Sequence, residues 1–224
     1  MVKVLIVDDH PIFRMGMSEL INQEEDFTVC AAAEDIASAR KAMRETGPDM
    51  AVIDISLAGD NGLDLVKEIA AGQETFPMLV LSMHDEAVWA ERAIRAGARG
   101  YIMKKEASES IISAMKDVLA GKVRVSEAVT SHLLDKFRPH SGSAGTAGSS
   151  RTIDLLTDRE LEVFRLIGSG LKTREIAERM KLGVKTIGTY RDRIKQKLNI
   201  KTGAELTRRA VLWTEKEGSA ASCR

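Results

Sequence analysis

Five short apolar runs alternate with stretches of helical periodicity through the first half of the chain, and this alternation restricts the fold more than any other feature. The runs are Val2–Val7, Thr28–Ala32, Met50–Ile53, Met78–Leu81 and Gly100–Met103. Between them, Ile12–Asn22, Ile36–Thr46, Gly62–Ala71 and Glu86–Ala96 repeat apolar residues on one helical face, and Ser108–Ala120 does so after the last run. Strands joined in this way by crossover helices run parallel, in an α/β sheet covered on both faces. Gly47, Gly72, Gly97 and Gly121 each stand just past a helical stretch, where a left-handed cap is wanted.

The pattern breaks at Pro139–Ser150, where Gly, Ser and Ala dominate and no large apolar residue appears. Such a segment cannot bury enough surface to order itself and is expected to act as a flexible tether. Beyond it the periodicity is helical only. Thr157-Asp158-Arg159-Glu160 fits a capping box that opens a helix to about Ile167, ended by Gly168-Ser169-Gly170. Helices follow over Thr173–Met180 and Val184–Leu198, separated by a turn at Lys181-Leu182-Gly183, and a second capping box at Thr202-Gly203-Ala204-Glu205 opens one to about Trp213. The expected division is an α/β domain over 1–122, a connecting helix over 123–138, a Gly/Ser linker over 139–152, a four-helix domain over 153–216 and a disordered tail over 217–224.

Composition sharpens this division through charge. Lys+Arg and Asp+Glu number 33 each, yet residues 1–138 carry a net −7 and residues 139–224 a net +7. Opposed halves suggest different partners, with a polyanion a candidate for the basic one. No apolar run approaches the roughly 20 residues of a membrane span, so no membrane partner is expected. MVKVLIVDDH has a short apolar run followed at once by acids, the wrong shape for a secretory signal. Cys30 and Cys223 lie far apart and form no CxxC, which argues against a disulfide framework or zinc site and for the reduced cytoplasm.

The acids of the first half fall at consistent places. Asp8 and Asp9 follow the first strand, Asp54 the third, Ser82 the fourth and Lys104 the fifth. In a parallel sheet these positions share one edge, the carboxyl ends of the strands, where open α/β sheets bind ligands. Three carboxylates gathered there repel one another, and a hard divalent cation such as Mg²⁺ relieves that cost. A hydroxyl and an ammonium at neighbouring strand ends can hold the remaining oxygens of a phosphoryl group, which equips the edge for phosphoryl transfer to a carboxylate. A lone Asp at a strand end is more often a helix cap or turn former; five polar residues at four consistent strand ends are not explained that way. His10 and His84 flank the cluster and read as exposed loop residues, neither metal ligands nor bases.

This set, with the strings LIVDDHPIFRMGM, DISLAGDNGLDL, LSMHDE and GARGYIMKK, resembles the receiver domain of two-component response regulators. The resemblance implies a flavodoxin-like, doubly wound five-stranded sheet of order 2-1-3-4-5. It also implies that Asp54 accepts a phosphoryl group from a histidine kinase. Mg²⁺ would be ligated directly by Asp9, Asp54 and the backbone carbonyl of Ser56, with Asp8 acting through water. Ser82 and Lys104 would hold the phosphoryl oxygens, and Tyr101 matches the aromatic switch position. Two positions depart from the pattern. Ala58 stands where receivers usually carry Pro, and Lys105 where many carry a Pro, often with a cis bond, after the Lys. Neither change removes a reactive group, so phosphorylation competence is expected to remain.

In the basic half, Lys172–Lys201 contains ten basic and three acidic residues, the electrostatic footprint of nucleic-acid binding. Ile176, Ala177 and Met180 give the first helix of this stretch a buried face, and Ile187, Tyr190, Ile194 and Leu198 form one stripe on the second. This is the pattern of a helix-turn-helix whose second helix enters the major groove. The candidate DNA-contacting residues are Lys172 and Thr173 with Lys185, Thr186, Gly188, Thr189, Asp192, Arg193 and Lys195. Asp192 could accept from cytosine or orient a neighbouring Arg, and Tyr190 and Trp213 read as core residues. The LTDRE opening, the TREIAERM helix and the KTI-T-YR helix resemble the LuxR-type DNA-binding domain throughout.

Together the halves resemble a response regulator of the NarL/FixJ type. The resemblance implies a cytoplasmic regulator that is phosphorylated on Asp54, dimerises, and binds double-stranded promoter DNA. Its only expected chemistry is phosphoacceptance and slow autodephosphorylation, so it is not expected to be an enzyme. Two other readings remain: a phosphorylation-independent DNA-binding regulator with a vestigial receiver, and a phosphotransfer module whose output is autodephosphorylation.

Overall fold

The five apolar runs form strands β1 (Val2–Val7), β2 (Phe27–Ala33), β3 (Met50–Asp54), β4 (Met78–Ser82) and β5 (Gly100–Met103). Helices α1 (Pro11–Asn22), α2 (Ile36–Thr46), α3 (Gly62–Gly72) and α4 (Glu86–Ala96) connect them, and α5 (Ala107–Leu119) follows a single 3₁₀ turn at Lys104–Glu106. This is a computed structural model, which describes residues 1–57, 59–83, 86–127, 129–131, 153 and 155–221. The linker over 139–152, the connecting helix beyond residue 131, and the positions of Ala58 and His84 lie outside the described residues. The chain divides into two compact units, Met1–Arg138 and Pro139–Arg224.

All strand pairs of the first unit are parallel, in the order β2-β1-β3-β4-β5. The chain leaves β1 outward to β2 and then returns to lay β3 on the other side of β1. Strand order therefore reverses between β1 and β3, and their carboxyl ends flank the crevice that such a reversal creates. Register carries this to single residues. Val7 pairs with Ile53, so Asp8 and Asp54 are the next residues out of two adjacent strands. Ser82 pairs with Met103, so Lys104 leaves β5 beside the end of β4.

Both faces of the sheet are covered, as continuous apolar strands require. On one side Val4, Ile6, Val52, Leu79 and Leu81 pack with Met17 and Ile21 of α1 and Ile111, Met115 and Val118 of α5. The alternate residues Leu5, Val7, Ile53 and Val80 point the other way and are equally buried, as are Leu63 and Val66 of α3. Three of the four expected glycine caps adopt positive φ: Gly47 at +55°, Gly97 at +114° and Gly121 at +79°. Gly72 does not. It is the last residue of α3, which is capped by Gln73.

The second unit is helical: α6 (Asp158–Gly168), α7 (Thr173–Arg179), α8 (Val184–Lys197) and α9 (Gly203–Ala221). Its opening capping box forms as the sequence indicates, with the Thr157 hydroxyl accepting from the Glu160 amide and Glu160 accepting from the Thr157 amide at 2.8 Å. The same Glu160 accepts from the Lys197 ammonium at 2.6 Å, tying α6 to the end of α8. Gly168 ends α6 against α9, where a Cβ would fall 2.5 Å from the Ala210 carbonyl oxygen. Phe164 and Trp213 pack with ring centroids 5.5 Å apart. Helix α9 runs on to Ala221, past the Trp213 at which periodicity ends it. Among the described residues no helix is long and apolar enough to cross a membrane.

Candidate functional site

The turn after β1 is built to hold acids in place. Pro11 starts α1 with a backbone angle suited to a first helical turn. Behind it, the His10 amide donates to Asp8 Oδ1 at 2.8 Å, and Arg14 of α1 donates to the Asp8 carbonyl. Across the crevice, the Ser56 amide donates to Asp54 Oδ1 at 3.2 Å. Gly62 opens α3 directly over the same residue. Its amide donates to the Ile55 carbonyl at 2.8 Å, and a Cβ at this position would lie 1.8 Å from the Asp54 carbonyl oxygen. Only glycine allows the helix to approach the backbone of Asp54 this closely.

Lys104 closes the site. Its ammonium lies 2.6 Å from Asp8 Oδ2 and 2.7 Å from Asp54 Oδ2, and all three side chains are buried. Asp9 Oδ1 lies 2.8 Å from Nδ1 of His10, whose side chain is 65% exposed. One ligand atom from each of Asp8, Asp9, His10 and Asp54 falls within 4.8 Å of the others, so His10, exposed as expected, nonetheless belongs to the cluster. Ser82 is buried at the end of β4. Tyr101 is also buried, opposite Val80 and so two residues inside the rim, with its amide donating to the Arg124 carbonyl at 2.8 Å. The described peptide bonds are all trans, including the one between Lys104 and Lys105.

Electrostatics at the site are unbalanced. Burial pushes the Asp54 carboxyl up to about 6; the Lys104 ammonium opposes this and the neighbouring Asp8 carboxylate adds to it. Asp8 Oδ2 and Asp9 Oδ1 are buried and receive no hydrogen bond, only the ion-pair contacts of Lys104 and His10. His10 apart, this is an acid-rich set of oxygen donors, and it fits a hard divalent cation.

In the second unit, Ile176 and Ala177 of α7 and Met180 just past it are buried, as are Ile187 and Ile194 of α8 and Leu198 just past it. The turn between them is made by Lys181 at φ +51°, with the Leu182 amide donating to the Ala177 carbonyl at 2.9 Å. Lys172, Lys185, Thr186, Thr189, Asp192 and Arg193 are exposed, while Thr173, Gly188 and Lys195 are half-buried. Asp192 pairs with Lys195 at 2.9 Å rather than with an Arg. Tyr190 departs from its expected place in the core. It is half-buried and lines a shallow concavity with Lys185, Thr186, Thr189 and Arg193. Its phenolic tip favours such a half-wet position over the dry stripe held by Ile187 and Ile194.

One residue of the acid site carries no signal in the sequence beyond apolar periodicity. The ring centroid of Phe13, on α1, lies 4.5 Å from the Lys104 ammonium. Its spacing marks a core residue; the contact to a charge appears only when α1 and the end of β5 meet.

Comparison with known proteins agrees with this geometry over both units. Residues 4–116 match the response regulator receiver domain, and residues 154–210 match the bacterial regulatory proteins of the luxR family. The chain is 34% identical over 213 residues to the oxygen regulatory protein NreC of Staphylococcus epidermidis, covering 93% of this chain and 96% of that one. NreC of Staphylococcus carnosus is 33% identical over 213 residues with the same coverage. Among solved structures, a LuxR-family two-component response regulator from Aurantimonas is 31% identical with a TM-score of 0.56, covering 61% of this chain and 97% of that chain. RcsB from Salmonella enterica serovar Typhimurium, bound to promoter rprA in the presence of phosphomimetic BeF3-, is 25% identical with a TM-score of 0.59, covering 94% and 98%.

The raised Asp54 carboxyl has a measurable sign. A carboxyl that titrates higher when folded contributes stability that is present below its unfolded value and lost as pH rises toward about 6. Asp54→Asn removes that loss. Without added divalent cation, the variant is expected to gain about 1–3 kcal/mol on wild type between about pH 4 and pH 6, with a constant difference above pH 7. Urea unfolding across that range checks it; parallel pH profiles would show that Asp54 carries no such penalty.

Proposed function

From a chain that belongs to the response regulators of two-component systems, pairing a receiver domain with a luxR-type DNA-binding domain, we propose a phosphorylation-controlled regulator of transcription whose acceptor is Asp54. The observation that carries the reading is the buried ammonium of Lys104 lodged between Asp8 and Asp54 at 2.6 and 2.7 Å. In the proposed step an Asp54 carboxylate oxygen attacks the phosphorus of a histidine kinase's phosphohistidine. A P–O bond forms, the P–N bond breaks, and the imidazole leaves. Asp9, Asp54 and the Ser56 carbonyl would hold Mg²⁺ directly, with Asp8 acting through water. Bound there, the ion would supply charge neutralisation for the carboxylates and the phosphoryl oxygens.

The residues of the chain do the rest. Lys104 is already at the acceptor and can follow an incoming phosphoryl oxygen without crossing solvent. Ser82, at the end of the adjacent strand β4, supplies the hydroxyl for a second oxygen. Both movements bear on β4 and β5 and so on Tyr101, which is proposed to repack and alter the surface used for dimerisation. Two copies then place their α8 helices in successive major grooves, with Lys172, Thr173, Lys185, Thr186, Gly188, Thr189, Asp192, Arg193 and Lys195 as the contact set. The cytoplasm is the proposed compartment.

Acetyl phosphate labelling in Mg²⁺ tests the acceptor. Wild type is expected to take the label, Asp54→Asn to take none, and excess chelator to abolish it. Label that persists in the variant would place the acceptor elsewhere, and no label on wild type would favour a vestigial receiver. At the DNA, Arg193→Ala is expected to weaken binding and to flatten its logarithmic salt dependence by about one unit if this side chain meets a phosphate. An unaltered slope would remove Arg193 from the phosphate contacts.

A further inference from the structure

Lysine carries its charge on a flexible four-carbon stem, so two carboxylates alone do not fix where the ammonium sits. In this chain Lys105 follows Lys104, and no proline stiffens the backbone at that point. What the structure adds is an aromatic face. The Phe13 ring centroid is 4.5 Å from Lys104 Nζ, opposite in kind to the carboxylates at 2.6 and 2.7 Å. Phe13 is half-buried against the core cluster of α1, α5 and the sheet. The first turn of α1 is also tied to the rim, because Arg14 donates to the Asp8 carbonyl.

We infer that Phe13 is a positioning residue for phosphoryl binding, acting through Lys104. This rests on the reading of Asp54 as the acceptor. The negative face of the ring attracts the ammonium and denies that side to water. An ammonium with less water around it attracts a phosphoryl oxygen more strongly, because the local dielectric is lower. As charge builds on Asp54, Lys104 can slide across the ring toward the new oxygens instead of swinging out into solvent. An aliphatic residue at position 13 fills the same space and supplies none of the attraction.

The test is a double-mutant cycle on the full chain, read as the dissociation constant for beryllofluoride in excess Mg²⁺ by fluorine NMR. Phe13→Leu and Phe13→Met keep apolar bulk and guard against a packing defect in either one. Each is expected to weaken binding by roughly three- to tenfold in the wild-type background. In the Lys104→Ala background the same changes are expected to leave binding within about 1.5-fold, since the partner of the ring is gone. Phe13→Tyr is expected to restore wild-type affinity. Equal losses in both backgrounds, or none in either, would overturn the positioning role while leaving the acceptor intact. Failure of wild type to bind beryllofluoride, or binding that survives Asp54→Asn, would overturn the receiver reading and this inference with it.

Discussion

A buried ammonium held between two buried carboxylates is the contact on which the first unit depends. Lys104 with Asp8 and Asp54 leaves a net negative charge out of water, with the half-buried Asp9 beside it. Burying charge in this way is a poor route to stability, because desolvation can exceed the attraction regained. The raised Asp54 carboxyl expresses the same imbalance. The cluster of Asp8, Asp9 and Asp54 fits a hard cation, which would offset that imbalance.

The fold is what forces these charges together. Reversal of strand order sets β1 beside β3, and the pairing of Val7 with Ile53 makes Asp8 and Asp54 neighbours. Gly62 lets α3 close over the Asp54 backbone, and the rigid start of α1 holds Asp8 from the other side. The second unit works on a different principle. Its core is an apolar seam through α6 to α9, with basic side chains left on the exposed face of α8. Asp192 pairs with Lys195, so a phosphate at Lys195 would have to compete with a neighbouring carboxylate.

Much of this was legible in the sequence, for physical reasons that differ by residue. The strand-end acids could be read because a parallel sheet fixes which edge its carboxyl ends share, whatever the details of packing. The capping box at Thr157 and Glu160 could be read because it is local. Gly72 misleads because a glycine near a helix end can lie within the last turn as easily as beyond it; nothing in the neighbouring residues distinguishes the two. Tyr190 sits on the apolar stripe by spacing, but its hydroxyl gives it a reason to stay at the surface. Phe13 and the Asp192–Lys195 pair are contacts between side chains. The first joins residues far apart in the chain, and periodicity has no access to it.

Asp54, among the clustered acids, is the residue proposed to form an acyl phosphate. Borohydride reduction of the phosphorylated full chain, followed by peptide mapping, tests it most directly, since reduction converts an aspartyl phosphate to homoserine at the modified position. Homoserine is expected at position 54 and at no other aspartate. Homoserine at position 8 or 9, or none after demonstrated phosphoryl uptake, would contradict it.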